Sequence, residues 1–102
     1  MIKATVLYPS GSGKIDMDYY LNSHIPLCQK LLSPYGLVRV EVDKGIDSPD
    51  GAAPYTVIAH LYFESAEQMQ KGMQAHDPDL AADVKNYTDI QPVFQMSEVL
   101  VS

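Results

Sequence analysis

The chain has 102 residues, 46% of them hydrophobic, with 13 acidic and 7 basic side chains for a net charge of -6. That length suits a single domain over 1–102, and a chain of this size buries enough surface to fold without a staple. The acidic balance argues against nucleic acid and anionic membranes as partners. No stretch approaches the roughly 20 apolar residues of a membrane helix.

One cysteine, Cys28, rules out an internal disulfide. Because the start MIKATVLYP lacks a basic region followed by a long apolar run, the expected location is the reducing cytoplasm. Residues 2–8 alternate in polarity and carry β-branched side chains, which predicts a first strand. PSGSGK follows as a loop punctuated by proline and glycine. It fails as a phosphate cradle: Tyr8 stands where a Walker loop needs its first glycine, Ile15 where it needs Ser or Thr, and Asp16 where a dinucleotide fingerprint needs its third glycine.

Asp16 is a candidate N-cap for a helix through DMDYYLNSHIPLCQKLL. Met17, Tyr20, Leu21, His24, Cys28, Leu31 and Leu32 form its apolar stripe, and Pro34 with Gly36 ends it. LVRVEVDKG (37–45) sets Val38, Val40 and Val42 against Arg39, Glu41 and Asp43, the pattern of an edge strand with one polar face. A loop covers 46–53, and PYTVIAHLYF (54–63), apolar on both faces, reads as a central strand. Ser65 and Gln68 form a capping box for a helix over AEQMQKGMQAH, and Asp77–Pro78 is expected to restart a short second helix with proline at its first position. PVFQMSEVLVS (92–102) closes the chain as a fourth strand.

The order β-α-β-β-α-β predicts a ferredoxin-like α+β fold: a four-stranded antiparallel sheet, first and third strands central, helices on one face. The uncovered face is expected to expose apolar side chains and to pair with a second copy, giving a homodimer.

Candidate chemistry is sparse. His24, His60 and His76 lie on different elements without zinc-ligand spacing, so no metal is expected. With no phosphate motif either, no cofactor is expected. Cys28, on an apolar stripe, reads as an inert buried thiol.

His24 is the exception: an ionisable group interrupting an apolar stripe, beside Pro26, which removes a helical N–H and disfavours helical geometry at Ile25. Such a residue suits proton transfer, with Tyr20 one turn earlier as an orienting hydroxyl and Tyr19 nearby. The alternation leaves two positions open for His60 and Tyr62: the helix-covered face, near His24, or the face that meets a partner. Tyr87 and Asp89 are weaker candidates for the mouth of the same pocket.

The segment DMDYYLNSHIPLCQKLL and the closing DVKNYTDIQPVFQMSEVLV resemble the EthD family, named for ethyl tert-butyl ether degradation. The resemblance implies a dimeric α/β barrel of two ferredoxin-like chains. It also implies a superfamily that includes cofactor-free monooxygenases, lactone isomerases, polyketide cyclases and haem-handling enzymes. The family's His-x-Pro histidine falls on His24. The expectation is therefore a catabolic protein acting on a small apolar molecule (a lactone, an aromatic or an ether-derived compound) by cofactor-independent proton transfer or oxygenation. The alternatives are a non-catalytic binding dimer that supports a partner oxygenase, and a structural dimer with a closed core and no ligand-sized cavity.

Overall fold

The computed structural model describes residues 1–102 apart from Ser12. Four strands, β1 (Ile2–Pro9), β2 (Leu37–Lys44), β3 (Tyr55–Phe63) and β4 (Val93–Glu98), form one antiparallel sheet in the order β2-β3-β1-β4. This is the ferredoxin-like arrangement, with β1 and β3 inside and β2 and β4 at the edges. β4 is shorter than its apolar run suggests. After Glu98 the chain keeps one bond to the sheet, Val99 N–H to the Met1 carbonyl at 2.9 Å, and leaves Leu100 and Val101 exposed.

Residue alternation sets the two faces of the sheet. Ala4, Ala59, Leu61 and Phe63 pack with Cys28, Leu32 and Met69 under the helices. A second cluster, Tyr8, Tyr20, Val57, Tyr87 and Ile90, fills the other end of the same layer. The opposite face carries Lys3, Thr5, Arg39, Glu41, Asp43, His60 and Tyr62. It is more mixed than expected, since Leu7 and Ile58 share it with these polar groups, and Arg39 reaches Glu41 at 3.1 Å and lies 3.9 Å over the Tyr62 ring.

The first helical segment has three parts: α1 (Met17–Tyr19), a π-helical turn (Tyr20–His24) and α2 (Ile25–Leu32). Asp16 caps it by accepting from the Tyr19 N–H. Its buried side chains are Tyr20, His24, Cys28 and Leu32, at four-residue steps, whereas Leu21 points to solvent at 47% exposure. In an α-helix each such step overshoots a full turn by about 40°. The wider π turn absorbs that drift at its start, and the Ile25 N–H bonds the Tyr20 carbonyl. Pro26 sits in the first turn of α2, where a missing N–H costs little. A 3₁₀ turn, Ser33–Tyr35, then stops at Gly36, whose φ of 79° suits glycine.

α3 runs unbroken from Ala66 to Val84, capped by the Ser65 side chain on the Gln68 N–H. The expected restart at Asp77–Pro78 is therefore corrected: Pro78 lies inside the helix. Both Pro78 and Gln74, whose carbonyl loses its usual helical donor, are exposed, so the proline lies on the solvent side of the helix.

Candidate functional site

A cavity of about 280 Å³ opens between the sheet and the helices, lined by Val6, Ala59 and Leu61 from the strands, Ile25 and Cys28 from α2, and Met73, Leu80 and Val84 from α3. Its rim includes Asp77, Gln91 and Phe94. No lysine or arginine lines it. Apolar walls with a few convergent polar groups are the usual composition of a small-molecule site. A ligand-sized space also removes the closed-core reading.

His24 projects into this cavity from the π turn and is buried at 7% exposure. Its Nδ1 lies 2.8 Å from Asp83 Oδ2. A carboxylate only accepts, so Nδ1 carries the proton, and in the neutral ring Nε2 keeps its lone pair. Asp83 is held in turn on its other oxygen: the Tyr19 hydroxyl donates to Oδ1 at 2.6 Å and the Asn86 side chain at 3.0 Å. Burial pulls the Asp83 carboxyl up, but donation from Tyr19, Asn86 and His24 outweighs it and holds the group below the usual carboxylate range. The result is a fixed Asp–His dyad whose second nitrogen keeps its lone pair beside the cavity.

Aromatic rings frame the imidazole. Tyr20 stacks on His24 with centroids 5.6 Å apart and planes 16° apart, and Tyr87 lies 4.6 Å away on centroids. The Tyr87 oxygen is 3.4 Å from Nε2 and 2.7 Å from the Tyr8 hydroxyl. Burial pushes the phenols of Tyr8, Tyr20 and Tyr87 far above their ordinary value, and the Cys28 thiol up to about 12. At neutral pH these phenols are donors rather than bases, and the thiol is no nucleophile.

The structure thus brings His24, Tyr20, Tyr19 and Tyr87 together. Tyr87 is not at a mouth but at the centre, 3% exposed. Asp89 lies elsewhere, on the outer loop, where it accepts from the Lys14 N–H at 3.3 Å. That contact belongs to a clamp: Thr88 donates to the Lys14 carbonyl at 2.6 Å, and the Asp16 N–H bonds the Tyr87 carbonyl at 2.7 Å. The glycine loop thereby fixes the segment that carries Tyr87.

His60 and Tyr62 are on the opposite face of the sheet. His60 Nε2 pairs with Asp43 at 2.9 Å, and the Tyr62 hydroxyl donates to Glu41 at 3.1 Å. No group of three or more His, Cys, Asp or Glu positioned to hold a metal occurs among the described residues.

Sequence reasoning missed Asp83 and Tyr8. Asp83 carried one signal: an acidic group in the last turn of a helix, a turn that holds no basic residue, opposes the helix dipole and calls for another partner.

The sequence profile of the EthD domain matches residues 14–91. Among solved structures, the chain is similar to an EthD-like protein from Ralstonia eutropha JMP134. The two share 31% identity over 98% of this chain and 92% of that one, with a TM-score of 0.90. An ethyl tert-butyl ether degradation family protein from Bacillus halodurans C-125 aligns at 23% identity over 98% and 99% of the two chains, with a TM-score of 0.71. A cofactor-independent oxygenase from Streptomyces nogalater shares the fold at 8% identity over 99% and 93%, with a TM-score of 0.62. A search of curated proteins finds no sequence match.

Proposed function

This chain belongs to the EthD domain family, and on that premise we propose that it binds a small neutral molecule and catalyses proton transfer on it, with His24 as the general base and acid. The observation that carries this reading is the 2.8 Å bond from His24 Nδ1 to Asp83, which leaves the Nε2 lone pair beside an apolar cavity, with the Tyr87 hydroxyl 3.4 Å away. Asp83 acts as a positioning residue: it fixes the tautomer and stabilises the imidazolium formed when Nε2 accepts a proton. Tyr19 acts through Asp83, and Tyr20 holds the imidazole plane by stacking. The step needs no cofactor, which agrees with the likeness to a cofactor-independent oxygenase. Removing a proton is also a first step towards oxygenating an electron-rich ring.

The test is solvent exchange in D2O. Small lactones, cyclic ketones and phenolics are incubated with the protein, and loss of their acidic C–H signals is followed by proton NMR. Wild type is expected to accelerate exchange in one class. H24Q lowers it by about 10²–10⁴, the usual contribution of a positioned acid–base group, and D83N, which removes the group that fixes the tautomer, lowers it too. Exchange that persists unchanged in H24Q overturns the assignment. Binding without exchange, together with stimulation of a partner oxygenase, would favour the accessory reading instead.

A further inference from the structure

Two phenols stand next to the base, and the dyad alone gives them no task. Tyr8, at the end of β1, is 2% exposed, and Tyr87 is 3% exposed. Their oxygens are 2.7 Å apart, and Tyr87 alone also approaches His24 Nε2, at 3.4 Å.

One direction of the hydrogens joins all of these contacts, although the Tyr8–Tyr87 bond by itself fits either hydroxyl as donor. Asp83 accepts, so Nδ1 donates and Nε2 accepts. Tyr87 is the phenol within reach of Nε2, so its O–H points there, which leaves the Tyr8 O–H to donate to the Tyr87 oxygen. The chain runs Tyr8 to Tyr87 to His24 to Asp83. Once Nε2 takes a proton it becomes a donor. The Tyr87 O–H is then released from Nε2 and can donate to an oxygen in the cavity as well as to the Tyr8 oxygen. Proton removal from a ligand therefore frees a hydrogen-bond donor beside that ligand.

We propose that Tyr87 is a second catalytic residue, the donor that receives the oxygen on which charge develops, with Tyr8 as its positioning residue. The substrate class is accordingly a neutral carbonyl compound, a small lactone or ketone, with an acidic C–H next to the carbonyl. This rests on the reading of His24 as the base. In the step, the C–H bond breaks and its proton goes to Nε2. The electron pair forms a C=C bond, the carbonyl π pair moves onto oxygen, and Tyr87 donates a hydrogen bond to that oxyanion. Return of the proton from Nε2 to the same carbon regenerates the substrate or its epimer. Return to the far end of a conjugated system gives an isomer. No electrons are gained or lost.

Neutrality of the substrate follows from the lining, which offers no Lys or Arg to a carboxylate and places Asp77 at the rim. Burial keeps both phenols protonated, so they remain available as donors.

The test uses 4-nitrophenol, whose bound phenolate mimics an enolate oxygen and reports itself by its visible absorption. It is titrated at a pH where the free compound is neutral. Wild type is expected to bind it with the phenolate band present. Y87F weakens binding of the phenolate by about tenfold or more, the worth of a hydrogen bond to a charged oxygen, and leaves binding of nitrobenzene unchanged. Y8F, which keeps the Tyr87 ring and hydroxyl, reduces the phenolate band by a smaller factor and supplies the same reading if Y87F does not fold. H24Q removes the band while neutral phenol still binds. A band and affinity unchanged in both Y87F and Y8F overturn the role of Tyr87 and leave His24 as base. No band in wild type overturns both.

Discussion

At Asp83 three donors converge on one carboxylate: the imidazole of His24, the hydroxyl of Tyr19 and the amide of Asn86. Burial opposes the ionised form, and the three donors together overcome it. Because the folded value lies below the unfolded one of about 3.9, the charge contributes stability that is fully present above the unfolded value. That contribution is lost as pH falls through the lower, folded value. D83N should therefore reduce stability at neutral pH by about 1 kcal/mol, the net worth of such hydrogen bonds, and the gap from wild type should close in strong acid. Urea unfolding of both proteins in the acid range checks this, and a gap that persists undiminished in strong acid would contradict it. His24 was legible from sequence because a polar side chain interrupts an apolar stripe. Its partner was not, since 59 residues separate the two and only the packing of α3 against the π turn brings them together.

The elements were legible wherever pattern and punctuation agreed. Alternation over 37–45 and 54–63 placed β2 and β3 within one residue of their observed ends, and the Ser65–Gln68 box marked the start of α3. Pattern failed where a local signal met a tertiary override. Pro26 signals a break in the first helix, yet the chain passes it with a π turn placed before it. Pro78 signals a new helix, yet α3 runs through it with the proline on its solvent side.

Gly72 shows why α3 holds its place. A Cβ there would lie 2.9 Å from Tyr35 Cβ and 3.2 Å from Leu32 Cδ2, so the helix rests directly on the end of the first helical segment. Alanine favours helix over glycine by up to about 1 kcal/mol, but this contact leaves no room for it. G72A should lower stability by about 1–2 kcal/mol net, as an overpacked core does, read as a lower urea midpoint. A higher midpoint would show that the contact yields easily.

For the whole molecule, the sheet face opposite the helices sets the expected assembly. Most of its charges are paired within the chain, which the sequence did not foretell, because Arg39, Glu41 and Asp43 meet His60 and Tyr62 only once strands are in register. One buried side-chain atom there lacks a hydrogen-bond partner among the described residues: Nδ1 of His60. An orphaned buried group costs about 1–3 kcal/mol unless another group reaches it, and a second copy packed on this face is the proposed source. Wild type should sediment as two chains, and T5R, which adds bulk and charge next to His60, should sediment as one. A wild type that stays monomeric at high concentration would contradict the homodimer.

The proposed base is one nitrogen, Nε2 of His24, unprotonated and beside a ligand-sized cavity. The most direct measurement is a long-range ¹⁵N–¹H NMR spectrum of the histidine rings, recorded with the imidazoles neutral, before and after adding the lactones, ketones and phenolics. The His24 ring should show its proton on Nδ1, and Nε2 should move when one class of neutral compound is added. A proton on Nε2, or an Nε2 resonance that no compound moves, would contradict the dyad as a base and return His24 to a hydrogen-bonded residue of the core.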